Sequence, residues 1–136
     1  MAVDVVVQVA KSDDIVVARQ AGRDLAESLG FSLTDLTLIA TAISEVARNI
    51  TSYTNGGEVR VSTVEQQGRI GLVVEAVDFG PGIADVDRAL EDGYSTRAGM
   101  GLGLPGARRL MDEFEVQSAV GRGTTVIMRK WAPTGV

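Results

Sequence analysis

Apolar residues recur along this chain with two different periods, and the switches between them mark its elements. Val3 to Val9 is dense in β-branched residues and predicts a strand. Ser12 or Asp13 is suited to cap a helix carrying Ile15, Ala18, Leu25 and Leu29, with Gly30 placed to stop it. Ser32 and Asp35 resemble a capping box for a second helix. Its apolar stripe is Leu36, Ile39, Ala40, Ile43, Ala47 and Ile50.

Asn55-Gly56-Gly57 predicts a turn. Val59, Val61 and Thr63 then alternate with polar residues, as on a half-buried strand. Gln66-Gln67-Gly68 turns the chain back into Ile70 to Val77, a more continuously apolar strand, so the two form a hairpin. From Gly80 to Gly103 periodicity is poor and glycine frequent, with one short helix expected over Asp85 to Leu90. A connection of this length is usually functional, often a lid. Leu104 to Phe114 predicts a helix, with Pro105 tolerated in its first turn. Glu115 to Ala119 and Thr125 to Lys130 predict two final strands around Gly121-Arg122-Gly123. No repeat, linker or change of composition divides the chain. The expectation is one domain over residues 1–136, an α+β two-layer sandwich whose mixed, mostly antiparallel sheet carries helices on one face.

Composition narrows the chemistry. A hydrophobic share of 45% and a charged share of 23% suit a soluble globular protein. The net charge of −5, with Lys11 and Lys130 as the only lysines, argues against tracking a nucleic-acid backbone or an anionic membrane. There is no Cys, which excludes disulfides and thiolate zinc sites and fits a reducing cytoplasm. There is no His, so proton transfer falls to a carboxylate, Lys or Tyr. The first residues lack the basic stretch of a signal peptide, and no apolar run approaches the roughly 20 residues that span a bilayer.

Four short motifs then fall in order. Glu45-Val46-Ala47-Arg48-Asn49 puts Glu45 and Asn49 four residues apart, on one helical face turned away from the apolar stripe. Alone, that is an ordinary solvated face. Asn49 offers Mg²⁺ a neutral oxygen, Glu45 is placed to take a proton, and Arg48 to pair with phosphate or an acceptor protein. Asp78-Phe79-Gly80-Pro81-Gly82 ends a buried strand. Asp-x-Gly is a common turn former, but the carboxylate also suits the adenine amino group, with Gly80 and Gly82 letting the backbone pass close to the base.

Gly99-Met100-Gly101-Leu102-Gly103 leads into a helix start, an arrangement of N–H groups that binds anions. Residues 101–106 also spell G-x-G-x-x-G, but no strand precedes them and no acidic residue follows at the spacing a Rossmann site needs. No Gly-Lys pair exists, so there is no Walker loop. Gly121-Arg122-Gly123-Thr124 is a hairpin turn whose Thr124 hydroxyl is in reach of a base-reading role. Together the motifs are equipped to bind Mg-ATP and move its γ-phosphate.

In this order the motifs resemble those of the Bergerat-fold (GHKL) ATP-binding family, which includes type II topoisomerases, Hsp90-type chaperones, histidine kinases and MutL-type repair proteins. The resemblance covers residues 12–131. Within it the chain is most similar to the bacterial anti-sigma-factor-type serine kinases and their stressosome switch kinases. That likeness is carried by residues 14–20, 42–50, 91–96 and 103–114. It implies that Glu45 activates the acceptor hydroxyl, Asn49 holds Mg²⁺, and Asp78 binds adenine in a pocket shaped by Gly82. It further implies that Gly99, Gly101 and Gly103, with Met100 and Leu102 between them, flank the phosphates, that Thr124 completes the base pocket, and that a lid spans residues 83–98. Histidine kinases carry an acceptor histidine and usually lack the Glu; this chain has Glu45 and no His. The large ATPases continue into a second domain with a catalytic Lys, so likeness to them is expected to stop at the nucleotide site.

The implied function is a cytoplasmic serine/threonine kinase that phosphorylates a STAS-domain scaffold or antagonist, then leaves it to activate a PP2C-type phosphatase. Tyr94-Ser95-Thr96-Arg97 in the lid is a candidate docking surface, with Arg97 a candidate phosphate or partner contact. The alternative is a nucleotide-gated binding protein of the anti-sigma-factor type.

Overall fold

The computed structural model describes residues 4–54, 56–80 and 104–133. Strand β1 (Val5–Val9) leads into helix α1 (Ser12–Ser28) and helix α2 (Leu33–Tyr53). Strands β2 (Gly57–Gln66) and β3 (Arg69–Asp78) follow, then helix α3 (Leu104–Leu110) and strands β4 (Glu113–Ala119) and β5 (Gly123–Trp131). The sheet order is β1-β2-β3-β5-β4, and every described pairing is antiparallel. This is the two-layer α+β architecture expected from the hydrophobic pattern.

Alternation along the strands sorts the sheet into two faces. Val7, Val9, Val59, Val61, Leu72, Val74, Ala76, Val126 and Met128 point to the helix layer and form the core with Ile39, Ile43, Val46 and Ile50 of α2. Helix α1 approaches through its small buried residues Ala18, Gly22 and Ala26. At Gly22 a Cβ would collide with the Ile43 side chain, so the two helices meet where one has no side chain. Helix α3 packs against α2.

The other face is held by cross-strand polar pairs. Arg129 donates to Glu113 at 3.0 Å, and the Trp131 indole donates to the same carboxylate at 2.7 Å. The Trp131 ring lies over Gly71, and the Arg69 guanidinium sits 5.1 Å from its centre. The Trp131 hydrogen bond, followed by that of Arg129, holds the Glu113 carboxyl below its usual range. Ser62 Oγ and Arg129 Nε are buried here without a hydrogen-bond partner among the described residues.

The turns explain the register. Gln67 and Gly68 both take positive φ, 53° and 78°, between the paired residues Gln66 and Arg69, which is a two-residue primed hairpin turn. Helix α1 ends in a Schellman motif: Gly30 has φ 88°, its N–H reaches the Glu27 carbonyl, and the Phe31 N–H reaches that of Ala26. Helix α2 begins as expected, with Ser32 Oγ accepting the Asp35 N–H at 3.1 Å.

Two local expectations are corrected. The cap of α1 is Lys11 rather than Ser12 or Asp13. The Asp14 carboxylate reaches back to the N–H groups of Ala10 and Lys11 at 2.9 and 3.1 Å, replacing a side chain at the cap itself. The helix expected over 104–114 stops at Leu110. The Leu110 carbonyl accepts from Lys130 Nζ at 3.0 Å, Asp112 accepts the Trp131 N–H at 2.8 Å, and Phe114 pairs with Met128 in the sheet. Long-range strand pairing thus wins residues that local periodicity assigned to the helix. The short helix expected over 85–90 lies outside the described residues.

Ile43 is fully buried between both helices and the sheet. Ile43→Ala should lower the unfolding free energy by about 2–5 kcal/mol, read from urea melts; a loss below about 1 kcal/mol would contradict this packing. The two backbone hydrogen bonds hold Asp14 below the ordinary carboxylate range. A depressed folded value stabilises above the unfolded value and is lost as pH falls through the folded one. Asp14→Asn should therefore lower Tm at neutral pH, and the gap from wild type should close below about pH 4. A gap that persists undiminished in acid would place the effect elsewhere.

Candidate functional site

One row across the end of the sheet collects the polar groups. Gly57 of β2 pairs with Asp78 of β3, Asp78 with Thr124 of β5, and Thr124 with Ser118 of β4. Directly opposed residues share a face, so the Asp78, Thr124 and Ser118 side chains stand together on the helix side. Thr124 is 9% exposed. Its Oγ1 lies 2.8 Å from Ser118 Oγ, which donates to the Gly123 carbonyl at 3.0 Å. Asp78 Oδ1 accepts the Gly80 N–H at 2.9 Å, closing a tight turn immediately after β3.

Glycine makes this row possible. Gly123 has φ 84°, and a Cβ on it would overlap the Asp78 carbonyl and come within 2.9 Å of Phe79 Cα. A Cβ on Gly57 would likewise meet the Val77 carbonyl, and one on Gly80 would come within 2.9 Å of Thr54 Cβ. Thr54 caps α2, its hydroxyl donating to the Ile50 carbonyl at 2.7 Å and accepting the Gly56 N–H at 3.0 Å. The Gly80–Thr54 contact therefore ties the Asp78 turn to the end of α2.

On α2 the buried residues Ala42, Ile43, Val46, Ala47 and Ile50 leave Glu45, Arg48 and Asn49 on the opposite side, as the periodicity predicts. Glu45 Oε1 accepts from Arg48 Nη1 at 2.9 Å, with the two side chains 33% and 52% exposed respectively. Asn49 is half-buried one turn beyond Glu45. No cluster of three or more His, Cys, Asp or Glu side chains able to hold a metal occurs among the described residues. Asn49 fits a cation that keeps its waters and arrives with phosphates, since Mg²⁺ binds through one or two protein oxygens in such sites.

Glu45, Arg48, Asn49, Asp78, Gly80 and Thr124 are thus described, on α2 and on the adjoining sheet end. Gly82, Arg97, Gly99, Met100, Gly101, Leu102, Gly103 and the lid of residues 83–98 lie outside the described residues. Sequence reasoning missed Ser118, Gly57 and Thr54. Ser118 was legible in one respect: with Gly121 and Gly123 at the hairpin, a three-residue loop pairs Ala119 with Gly123 and so Ser118 with Thr124. A hollow of about 450 Å³ opens elsewhere, between Gln8, Val9, Ala10, Gly56, Gly57, Glu58 and Phe79. It meets the polar row only at Gly57; the Asn49, Asp78 and Thr124 side chains do not line it.

The histidine kinase-like ATPase domain family matches residues 9–130, a span that takes in α2 and the whole polar row. The chain belongs to this family. It is 50% identical over 118 residues to the serine/threonine-protein kinase RsbT of Bacillus subtilis, covering 87% of this chain and 89% of that one. It is 32% identical over 127 residues to the anti-sigma F factor of Clostridium acetobutylicum, covering 89% and 87%. The anti-sigma F factor of Geobacillus thermodenitrificans is 34% identical over 128 residues, covering 89% and 86%. No helix among the described residues is long and apolar enough to cross a membrane.

The two glycines of the last hairpin separate backbone strain from close approach. Gly121 has φ 80° but open space around it, whereas Gly123 has both positive φ and the Asp78 backbone against it. Gly121→Ala should cost about 1–2 kcal/mol, and Gly123→Ala should cost more because the strand must also move. Equal losses in thermal melts would show that the Gly123–Asp78 approach carries no weight.

Proposed function

We propose that this chain is a protein serine/threonine kinase of the partner-switching type, a single ATP-binding domain that transfers the γ-phosphate of Mg-ATP to a STAS-domain protein. Released from that substrate, it binds and activates a PP2C-type phosphatase, in general stress or sigma-factor control in the cytoplasm. Identity to RsbT over most of both chains supports the kinase reading. The observation that carries it is the placement of Glu45 one turn before Asn49 on the polar side of α2, with the helix end tied through Thr54 and Gly80 to Asp78 and Thr124.

In this reading Asp78 and Thr124 receive the adenine, with Gly80 and Gly82 shaping the space around it. Gly99, Met100, Gly101, Leu102 and Gly103 present backbone N–H groups to the phosphates. Asn49 would hold Mg²⁺ through its amide oxygen, and the ion would supply charge neutralisation for the transferring phosphate. Glu45 accepts the proton of the attacking serine or threonine hydroxyl. Arg48, beside Glu45, and Arg97 pair with phosphate oxygens or with the acceptor protein. Positioning supplies most of the rate enhancement, because phosphoryl transfer asks little covalent chemistry of the protein.

A second reading is a nucleotide-gated binding protein, supported by the identity to anti-sigma F factors. A phosphotransfer assay with γ-labelled ATP, Mg²⁺ and STAS-domain proteins separates the two. Wild type should label one acceptor on serine or threonine, and Glu45→Ala should lower the rate by about 10²–10⁴-fold while ATP affinity survives. Labelling by Glu45→Ala at the native rate would remove Glu45 as the base. Stoichiometric, nucleotide-dependent binding with no labelling would favour the second reading.

A further inference from the structure

We infer that Ser118 sets the hydrogen-bond polarity of Thr124 and thereby makes the base pocket select a 6-aminopurine nucleotide over a 6-oxopurine one. The inference rests on the reading of Asp78 and Thr124 as the base-binding pair.

A serine hydroxyl has one proton. Ser118 Oγ lies 3.0 Å from the Gly123 carbonyl, which only accepts, so the Ser118 proton is directed there. The 2.8 Å contact between Ser118 Oγ and Thr124 Oγ1 admits either donor, and this prior commitment decides it: Thr124 donates and Ser118 accepts. The Thr124 proton is then directed back toward β4. What Thr124 presents beside Asp78 is lone pairs alone. Directly opposite in the ladder stand the carboxylate oxygens of Asp78, which accept. The Gly80 N–H further fixes its Oδ1.

The pocket end therefore presents two neighbouring acceptors. Adenine carries an amino donor at its six-position, and guanine carries a carbonyl acceptor there. A carbonyl facing these groups is left unpaired in a partly buried site, and an unpaired acceptor is costlier than a hydrogen bond is favourable. Without Ser118, the Thr124 hydroxyl is free to rotate and donate to such a carbonyl. Ser118 is thus a positioning residue, acting on the nucleotide through Thr124. It sits on the edge strand β4, two strands away from Asp78.

Titration calorimetry with Mg-ATP and Mg-GTP on the full chain tests this, using Ser118→Ala, Ser118→Thr and Asp78→Asn. Wild type should bind ATP more tightly than GTP. Ser118→Ala should reduce the ATP/GTP affinity ratio by about tenfold, the effect of one misdirected hydrogen bond, with gain or retention of GTP affinity. Ser118→Thr, which keeps the hydroxyl, should restore the ratio. Ser118→Cys, close in shape and a weaker donor, reads the same effect if the alanine variant fails to fold. An unchanged ratio in Ser118→Ala, a wild type indifferent to the base, or a parallel loss of both affinities would overturn the role given to Ser118. Asp78→Asn separates this from the reading beneath it. Unchanged ATP affinity in that variant sinks the base pocket itself; lost affinity supports the pocket, and the ratio in the Ser118 variants then decides the role of Ser118.

Discussion

The close approach of Gly123 to the backbone of Asp78 is the constraint on which the rest of the site depends. Strand β5 comes so near the end of β3 that a side chain at 123 would collide with it, and Gly123 itself takes φ 84°. This draws Thr124 directly opposite Asp78 and, through the short hairpin, brings Ser118 beside Thr124. Gly57 performs the matching service on the other side of β3. Two flanking strands thus close on Asp78, and a carboxylate that would otherwise end a frayed strand stands in a defined polar row. Preorganisation of this kind is what the proposed base pocket would need, since groups already in place cost less to order on binding.

Such a row is useful only if the helix layer is held in register with it. That register comes from the apolar side of the sheet, where β-branched residues of β1, β2 and β3 meet the stripe of α2, and α1 closes over both through its small residues. The last turn of α2 is then fastened separately, by Thr54 packing on Gly80 and bonding to Gly56. Glu45 and Asn49 therefore inherit their placement from core packing, and Asp78 inherits its own from strand pairing. Thr54 is where the two meet. A polar face on a helix anchored over so many buried contacts moves little, which is the condition for catalysis by positioning.

Most of this architecture was legible because the chain writes its two periods cleanly. Helix α2 is the clearest case: its stripe from Leu36 to Ile50 is the observed buried face, and Glu45 and Asn49 fall off it as the angle per residue requires. The β2–β3 hairpin was equally legible from Gln66-Gln67-Gly68. What periodicity missed was decided at long range. Met111 to Phe114 continue a helical pattern locally, yet Met128, Arg129 and Trp131 of β5 claim Asp112, Glu113 and Phe114 as partners. The cap of α1 was misplaced by one or two residues because a carboxylate three positions inside the helix serves in place of a cap side chain. Ser118 was overlooked because its importance lies across a hairpin, in which hydroxyl it faces, and no local pattern records that. The family resemblance, by contrast, needed only the order of motifs.

The Glu45–Arg48 pair links the fold to the chemistry proposed for it. As a surface ion pair three residues apart on a helix, half exposed on the Arg side, it contributes little to stability. Its value is better sought in the state with nucleotide bound. The guanidinium 2.9 Å away holds one carboxylate oxygen and leaves the second for the hydroxyl proton that the proposed chemistry assigns to Glu45. The same guanidinium is monodentate here, so it retains donors for a phosphate oxygen. In the proposed chemistry one residue of the motif then both orients the base and pairs with a phosphate oxygen, which is a reason for an Arg between Glu45 and Asn49 that helix formation alone does not supply.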